Sequence, residues 1–276
     1  MLDLLSYEFM RNALIAGVLI GISCGVVGSF VVVNRAVFLA GGIAHAAYGG
    51  IGLAFLCGFS PFLGATLFAL FTSTLLAVAI QRWDQRLDTV IGVLWATGMA
   101  LGTILIDLSP GYHKDVMSYL FGSILAVSRS DLYLMLLLDA LILAVIGFFY
   151  KEFLAISFDA EFAMTVGLPV KLFQCIFLWL VGLAVVMMIR VVGLILVIAL
   201  FSIPPNIAER LTSSLKRIIL FGSLFAIAFS VIGLLISYHL NTSSGATIVM
   251  VAATTYLVFL SLQDILNRCF YNNVEG

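Results

Sequence analysis

Charged residues are scarce in this sequence. Asp, Glu, Lys and Arg make up 10% of its 276 residues, whereas a soluble domain carries about 25%. The 13 basic and 14 acidic residues nearly cancel, so the net charge of −1 gives no reason to expect a nucleic-acid partner. Cysteine is also rare, and no two of the four have the spacing of metal ligands. These absences exclude a soluble domain and a cysteine-based metal motif.

Nucleotide-binding and catalytic motifs are absent as well. The sequence contains neither a G-x-x-x-x-G-K-[ST] nucleotide loop nor an H-E-x-x-H metal motif. No polar stretch is long enough to form an ATPase domain, and no nucleophile lies in a recognisable pattern with a base. We therefore expect no enzyme. A channel, an ion-driven carrier and the membrane subunit of an ATP-driven transporter all fit this pattern.

What the sequence has in abundance is apolar residues, at 63%, with a mean hydropathy of +1.21. The apolar runs are continuous, which favours membrane-spanning helices of about 20 residues over the alternating strands of a barrel. The sequence predicts an all-α integral membrane protein, a bundle of eight to nine transmembrane helices forming one domain over residues 1–276. The seventh of nine segments is short, and we expect Pro204 and Pro205 to break it or make it partly re-entrant. The segments are 10–33, 36–57, 61–80, 89–109, 131–150, 170–190, 192–208, 218–239 and 245–264.

The distribution of Lys and Arg predicts an orientation. If nine segments cross alternately, nine of the 13 basic residues lie on one side and four on the other. Cytoplasmic loops carry the excess of Lys and Arg. The larger set therefore predicts a protein of the cell (inner) membrane with its N-terminus on the outer side and its C-terminus in the cytoplasm. The larger set is Arg35, Arg82, Arg86, Lys151, Lys171, Arg210, Lys216, Arg217 and Arg268; the smaller is Arg11, Lys114, Arg129 and Arg190.

The stretch from residue 38 to 53 combines an apolar helix pattern with one histidine, His45. Residues four apart share a helix face, so His45 lies beside rows of small residues that let helices approach closely in lipid. A titratable ring in such a place is a candidate functional site. A neutral histidine that only hydrogen-bonds to a neighbouring helix explains the pattern too. The small residues are Gly41, Gly42, Ala46, Gly49 and Gly50.

Two further polar residues in apolar segments are candidates. Asp139 lies inside the fifth segment, where a carboxylate should face protein or water. It fits a second ligand, a proton-coupled group or a partner for Ser, Thr or Arg on another helix. His239, at the outer end of the eighth segment, fits an entrance ligand or a side chain that reaches to the interface.

The polar loop 151–171 predicts a short amphipathic helix on the cytoplasmic side. Ser157 or Asp159 can cap it, and Gly167 followed by Pro169 can end it. We expect Phe158, Phe162, Ala163 and Val166 to share one apolar face. Such a face can lie on the membrane or dock into a groove of a soluble partner.

Seven segments in order resemble the permease subunits of ABC transporters that import zinc, manganese or iron. The resemblance covers nearly the whole chain and implies two permease copies, separate ATP-binding cassette ATPase subunits and an extracellular or periplasmic metal-binding protein. The transported metal ion is substrate, and no permanently bound cofactor is expected. The segments are 25–33 (GVVGSFVVV), 38–50 (FLAGGIAHAAYGG), 89–92 (TVIG), 115–127 (DVMSYLFGSILAV), 157–168 (SFDAEFAMTVGL), 190–197 (RVVGLILV) and 244–249 (SGATIV).

The resemblance also assigns roles to residues. It makes 157–168 the coupling helix that contacts the ATPase, with Phe158, Asp159, Glu161, Phe162 and Gly167 as the expected coupling residues. His45 matches a transient metal ligand of the pathway, but Gly41 stands where many relatives have an Asp. Imidazole suits zinc and iron, whereas manganese accepts more oxygen, so the loss of a carboxylate favours zinc slightly.

Two other functions compete with this one. A permease for a metal chelate, siderophore or cobalamin would need a wider and more polar pathway than these small residues suggest. An ion-coupled secondary carrier would show internal repeats and paired carboxylates within the membrane. The sequence has one isolated Asp139 there and no evident repeat.

Overall fold

The computed structural model describes residues 6–83, 87–110 and 116–272, and within them the chain is helical, as predicted. Eight of the described helices are long and apolar enough to cross a membrane. A 3₁₀ helix at Ile124–Ala126 joins α5 to α6. The helices are α1 Glu8–Val33, α2 Val37–Cys57, α3 Pro61–Trp83, α4 Leu87–Leu108, α5 Val116–Phe121, α6 Arg129–Phe148, α7 Tyr150–Phe158, α8 Ala160–Thr165, α9 Val170–Val191, α10 Val197–Leu211, α11 Leu215–Leu240 and α12 Ser244–Asn272.

The centre of the bundle consists of α1, α2, α9 and α10. Helix α2 packs mainly on α3 and α4, and α1 packs mainly on α11 and α10. The most apolar windows of α1 and α2 are 78% and 83% buried, whereas those of α4 and α12 are 17% buried. The helix that carries His45 is therefore enclosed by its neighbours, and α4 and α12 present their outer faces to the surroundings.

Helix α10 corrects the prediction of a break at the proline pair. It runs unbroken through Pro204 and Pro205 to Leu211. Pro204 has no N–H to donate to the carbonyl of Leu200, but the thiol of Cys24 on α1 lies 2.6 Å from that oxygen and donates to it. A neighbouring helix thus satisfies the backbone group that the proline leaves without its usual partner. At 15 residues, α10 is about 22 Å long, shorter than a hydrocarbon core of about 30 Å.

The turn between α9 and α10 is held by backbone contacts with the α5 segment. Leu194 N–H donates to the Tyr119 carbonyl at 3.0 Å, and Ser123 N–H donates to the Arg190 carbonyl at 3.3 Å. The backbones approach closely at Gly193, whose φ of +89° favours glycine. The Arg190 guanidinium also pairs with the Asp131 carboxylate at 3.2 Å. These contacts fix one end of α9, α10 and α6 together.

Contacts at the helix ends agree with alternating crossings. Arg129 at the start of α6 pairs with Glu8 at the start of α1, with 2.6 Å between Nε and Oε1. At the opposite end of α1, Asn34 donates to Ser157 Oγ of α7 at 2.9 Å. Which end faces the cytoplasm stays a prediction. Three basic residues in that count are not described by the structure. They are Arg86, Lys114 and, for its side chain, Arg268.

The segment predicted as one amphipathic helix consists of the end of α7 and the separate helix α8. Asp159, not Ser157, is the cap, because its Oδ1 accepts from Phe162 N–H at 2.8 Å. Phe158, Phe162 and Val166 are 59–68% exposed, but Ala163 is fully buried. The prediction that Ala163 shares their face is wrong, since it packs inward from α8. Gly167, with a φ of +84°, follows the end of α8.

Small residues set the distance between α2 and α3. A Cβ atom at Gly50 would lie 2.6 Å from Cβ of Phe68 and would collide with the Gly64 carbonyl. A Cβ at Gly64 would in turn lie 2.9 Å from Cβ of Ala54. The two backbones can approach this closely only because both positions are glycine.

We expect Gly50→Ala to lower the free energy of unfolding by about 1–3 kcal/mol, because the added methyl must push α2 and α3 apart. The measurement is thermal unfolding of the purified protein in detergent. Gly147→Ala on α6 is the matched control, since no atom of the described residues lies within 4 Å of its added Cβ. Equal melting temperatures for the two variants would contradict the close contact.

Candidate functional site

His45 lies inside the bundle, with 6% of its surface exposed. Its Nδ1 is 2.9 Å from the carbonyl oxygen of Gly41, one helical turn earlier. A carbonyl can only accept, so Nδ1 carries the proton, and the lone pair of a neutral ring is then on Nε2. The helix itself therefore selects the ring nitrogen that can bind a cation.

Two side chains from other helices close over this turn of α2. The indole of Trp95 on α4 stacks on the imidazole of His45, with centroids 3.8 Å apart and planes 19° from parallel. A Cβ at Gly41 would lie 2.6 Å from Cδ1 of Ile198 and 3.2 Å from Cζ3 of Trp95. Hydrocarbon therefore fills the space where a side chain at position 41 would point.

The other small residues of α2 lie at helix contacts on both sides of His45. A Cβ at Gly42 would lie 2.8 Å from Cγ2 of Ile91 on α4. A Cβ at Gly49 would lie 3.2 Å from the carbonyl oxygen of Gly98. Ala46 also packs on α4, because a Cβ at Gly98 would lie 2.9 Å from its carbonyl oxygen. Together with Gly50, these residues keep α2 close to α3 and α4.

A cleft of about 620 Å³ opens one helical turn from Gly41, toward the α1–α2 turn. Ser202 on α10, one turn beyond Ile198, lines it, and so does Phe38 on α2. Its polar groups include Asn206, whose Oδ1 accepts from the Tyr256 hydroxyl at 3.0 Å. Ile198 thus contacts the Gly41 position and lies one helical turn from Ser202, which lines the cleft. The full lining is Val32, Val33, Arg35, Val37, Phe38, Ser202, Ile203, Asn206, Glu209 and Tyr256.

Asp139 lies elsewhere in the bundle, at the contact of α6 with α1 and α9. It is 3% exposed, and its Oδ1 accepts a hydrogen bond from Ser23. The Ser23 hydroxyl oxygen is also 3.8 Å from Sδ of Met187 on α9. Among the described residues, Oδ2 of Asp139 finds no hydrogen-bond partner. An ionised carboxylate in this place would carry a large desolvation cost.

His239 lies at the end of α11 and is exposed. Its ring contacts that of Tyr238, with centroids 5.8 Å apart. Within the described ranges, the structure shows no cluster of three or more His, Cys, Asp or Glu side chains that could hold a metal ion. Of the three candidate ligands, His45 alone lies beside the glycine-rich faces of α2, and neither Asp139 nor His239 contributes to its surroundings.

A family model described as the ABC 3 transport family matches residues 6–263, which is nearly the whole chain. The chain belongs to the ABC 3 transport family. The resemblance drawn from the seven sequence segments is confirmed. The ABC 3 chain is therefore a multi-pass membrane transport protein, in agreement with its eight candidate spans.

Curated relatives cover almost the full length of the chain. The Synechocystis membrane protein slr2045 is 48% identical over 95% of this chain and 94% of its own length. The manganese transport system membrane protein MntC of Halalkalibacterium halodurans is 33% identical over 96% of this chain and 92% of its own. The manganese import system permease protein ScaB of Streptococcus gordonii is 34% identical, over 91% and 90%.

Solved structures show the same architecture. A chain of PsaBC from Streptococcus pneumoniae, in complex with a Fab, superposes with a TM-score of 0.84 at 34% identity, over 93% of this chain and 92% of that one. A putative metal-chelate type ABC transporter in an inward-facing conformation gives a TM-score of 0.71 at 17% identity, over 91% and 85%. The second likeness shows a shared fold alone.

Sequence reasoning missed Trp95, Ile198 and Cys24. Trp95 and Ile198 are 50 and 153 positions from His45 in the sequence, and no periodicity within one segment can pair residues on different helices. For Cys24 a signal existed, because Pro204 must free a carbonyl on α10 that some donor has to satisfy.

We expect Asp139→Leu to lower the free energy of unfolding by about 1–3 kcal/mol, because the Ser23 hydroxyl would stay buried without its partner. Asp139→Asn retains an acceptor for Ser23 and should lose less. In thermal unfolding in detergent, the double variant Ser23→Ala/Asp139→Leu should lose less stability than the sum of its single changes. Additive losses would contradict the hydrogen-bond role. Metal uptake by the Asp139→Asn variant is a second measurement, and weakened uptake would support Asp139 as a ligand.

Proposed function

We propose that this chain is the membrane-spanning permease of an ATP-driven importer for divalent transition metal ions. Membership of the ABC 3 family carries the proposal, together with relatives whose names describe manganese import. The chain works as one permease domain, two copies of which form the pore beside two ATPase subunits. A metal-binding protein outside the cell membrane delivers the ion, and the C-terminus lies in the cytoplasm.

Manganese is the first candidate for the transported ion. Two relatives at 33% and 34% identity are named for manganese transport or import. Zinc is the second candidate, and a specific observation favours it: the site offers an imidazole, while Ile198 and Trp95 occupy the space at Gly41 where an oxygen ligand could stand. Imidazole suits zinc, and oxygen ligands suit manganese.

In this proposal the ion passes His45 and leaves through the polar cleft beyond Ile198. Nε2 of His45 binds the ion transiently, with water and backbone carbonyls completing its coordination. A transport site has to release its ion as well as bind it, and a single side-chain ligand meets that need. Ser202 and Asn206 then line the way out with oxygen atoms.

Helix α8 and the residues that flank it transmit the movement of the ATPase. Phe158 and Phe162 are 68% and 60% exposed, so they present apolar surface to a partner. Asp159 caps α8, Glu161 adds an exposed charge to its first turn, and Gly167 follows its end. Because α7 follows α6 directly and α9 begins at Val170, a push on α8 acts on two spans.

The test is uptake into proteoliposomes that contain the permease, its ATPase subunits and the metal-binding protein. We expect ATP-dependent uptake of manganese or zinc, and competition between the two ions decides which is preferred. Uptake by the permease alone, driven by a proton or sodium gradient, would refute the function.

The same uptake assay also tests the role of His45 as an ion ligand. His45→Ala should reduce uptake at low metal concentration on the order of tenfold or more, while His239→Ala serves as the control at an exposed histidine. Normal uptake by the His45 variant would reject the site but leave the transport function standing.

We expect Phe162→Asp to abolish the stimulation of ATP hydrolysis by the loaded metal-binding protein, because a charge would replace an apolar docking contact. The measurement is the ATPase rate with and without that protein. Ser213→Asp is the control, since it adds the same charge at an exposed turn between α10 and α11. Full stimulation in the Phe162 variant would show that α8 does not carry the coupling.

A further inference from the structure

We propose that Trp95 is the positioning residue that holds the imidazole of His45 in its ion-binding orientation. The inference rests on the proposed function, in which His45 contacts the ion. Trp95 belongs to α4 and is half-buried, so it approaches the site from a helix other than the one that carries the ligand. Its role is separate from ligation, because an indole N–H is a donor and offers no lone pair to a cation.

The hydrogen bond to Gly41 restrains the ring at one atom only, Nδ1. With Nδ1 held 2.9 Å from the Gly41 carbonyl, the tautomer is selected and the lone pair is on Nε2. Rotation of the imidazole about its bond to Cβ is broad for histidine, because this torsion joins sp³ and sp² atoms. A single hydrogen bond therefore leaves the direction of the Nε2 lone pair loosely defined.

The stack with Trp95 supplies the missing restraint. The two rings lie 3.8 Å apart and 19° from parallel, so the imidazole cannot turn about its Cβ–Cγ bond without colliding with the indole. The lone pair of Nε2 lies in the plane of the imidazole, and the stack keeps that plane parallel to the indole face. The ion must approach along the plane, at the edge of the ring pair.

The small residues of α2 make this stack feasible. Helix α4 lies close enough to α2 because Ala46 meets the backbone of Gly98 and Gly42 meets Ile91. Gly41 leaves room for Cζ3 of Trp95 and Cδ1 of Ile198 beside the turn that receives the His45 hydrogen bond. The glycines around His45 thus let α4 approach α2 and leave room for the Trp95 ring beside the imidazole.

Residues that orient a metal-binding histidine from a second layer typically change affinity by about 10–100-fold when they are removed. We therefore expect Trp95→Leu to raise the KM for metal about tenfold, with kcat nearly unchanged. Trp95→Phe keeps an aromatic face for stacking and should restore a KM close to that of the unaltered protein.

The experiment measures initial rates of uptake against free Mn²⁺ and, separately, free Zn²⁺, in proteoliposomes with the full transporter. Trp179→Leu is the matched control, because its indole lies on α9, is 43% exposed and donates to Thr74, at 2.9 Å between Nε1 and Oγ1. It should retain the normal KM. If Trp95→Leu fails to insert, Trp95→Met replaces it, since this side chain fills the space with no ring to stack.

The outcomes separate the two proposals. A normal KM for Trp95→Leu beside a defective His45→Ala would overturn the positioning role and leave the His45 site in place. A loss of kcat at constant KM, or equal defects in the Phe and Leu variants, would overturn it as well. Normal uptake by His45→Ala would reject the site itself. A raised KM in Trp95→Leu that Trp95→Phe restores supports the inference.

Discussion

The close contact of α2 with α3 and α4 is the constraint on which the rest of this permease depends. At Gly50 and Gly64, and again at Ala46 and Gly98, backbone lies against side chain or backbone with no room for an added methyl group. In lipid, such contacts replace the hydrophobic effect as the source of helix association. They bring Trp95 onto His45, and they bury His45 within the bundle.

Satisfaction of buried polar groups is the second constraint, and it explains several pairings between distant residues. The Leu200 carbonyl loses its usual donor to Pro204 and receives the Cys24 thiol. The Ser23 hydroxyl donates to Oδ1 of Asp139 between α1 and α6. The bilayer core has no water that could form hydrogen bonds with such groups, so each needs a partner within the protein. Polar residues in these spans are thus first of all structural, and in the proposed function His45 differs because its Nε2 binds the ion.

The sequence was sufficient for the fold class, because long apolar runs admit few structures in a membrane. It also directed attention to His45, since an imidazole among glycines is unusual in a span. It failed at α10, where local rules for proline predicted a break, because the compensating donor, Cys24, belongs to another helix. It failed in the same way at the site, since the indole of Trp95 reaches His45 across a helix contact that no periodicity encodes. Ala163 was misplaced because α8 is shorter than its amphipathic pattern suggested.

The proline pair of α10 has a mechanical consequence. Toward its start, this helix is attached to α1 through Leu200 and Cys24. Toward its end, it is attached to α12 through Asn206 and Tyr256. Between the two attachments, Pro204 and Pro205 remove two backbone hydrogen bonds of the helix, because neither proline has an N–H to donate. Because two hydrogen bonds are lost there, α10 is easier to bend at the prolines than elsewhere along its length, and this stretch carries Ser202, Ile203 and Asn206 of the polar cleft.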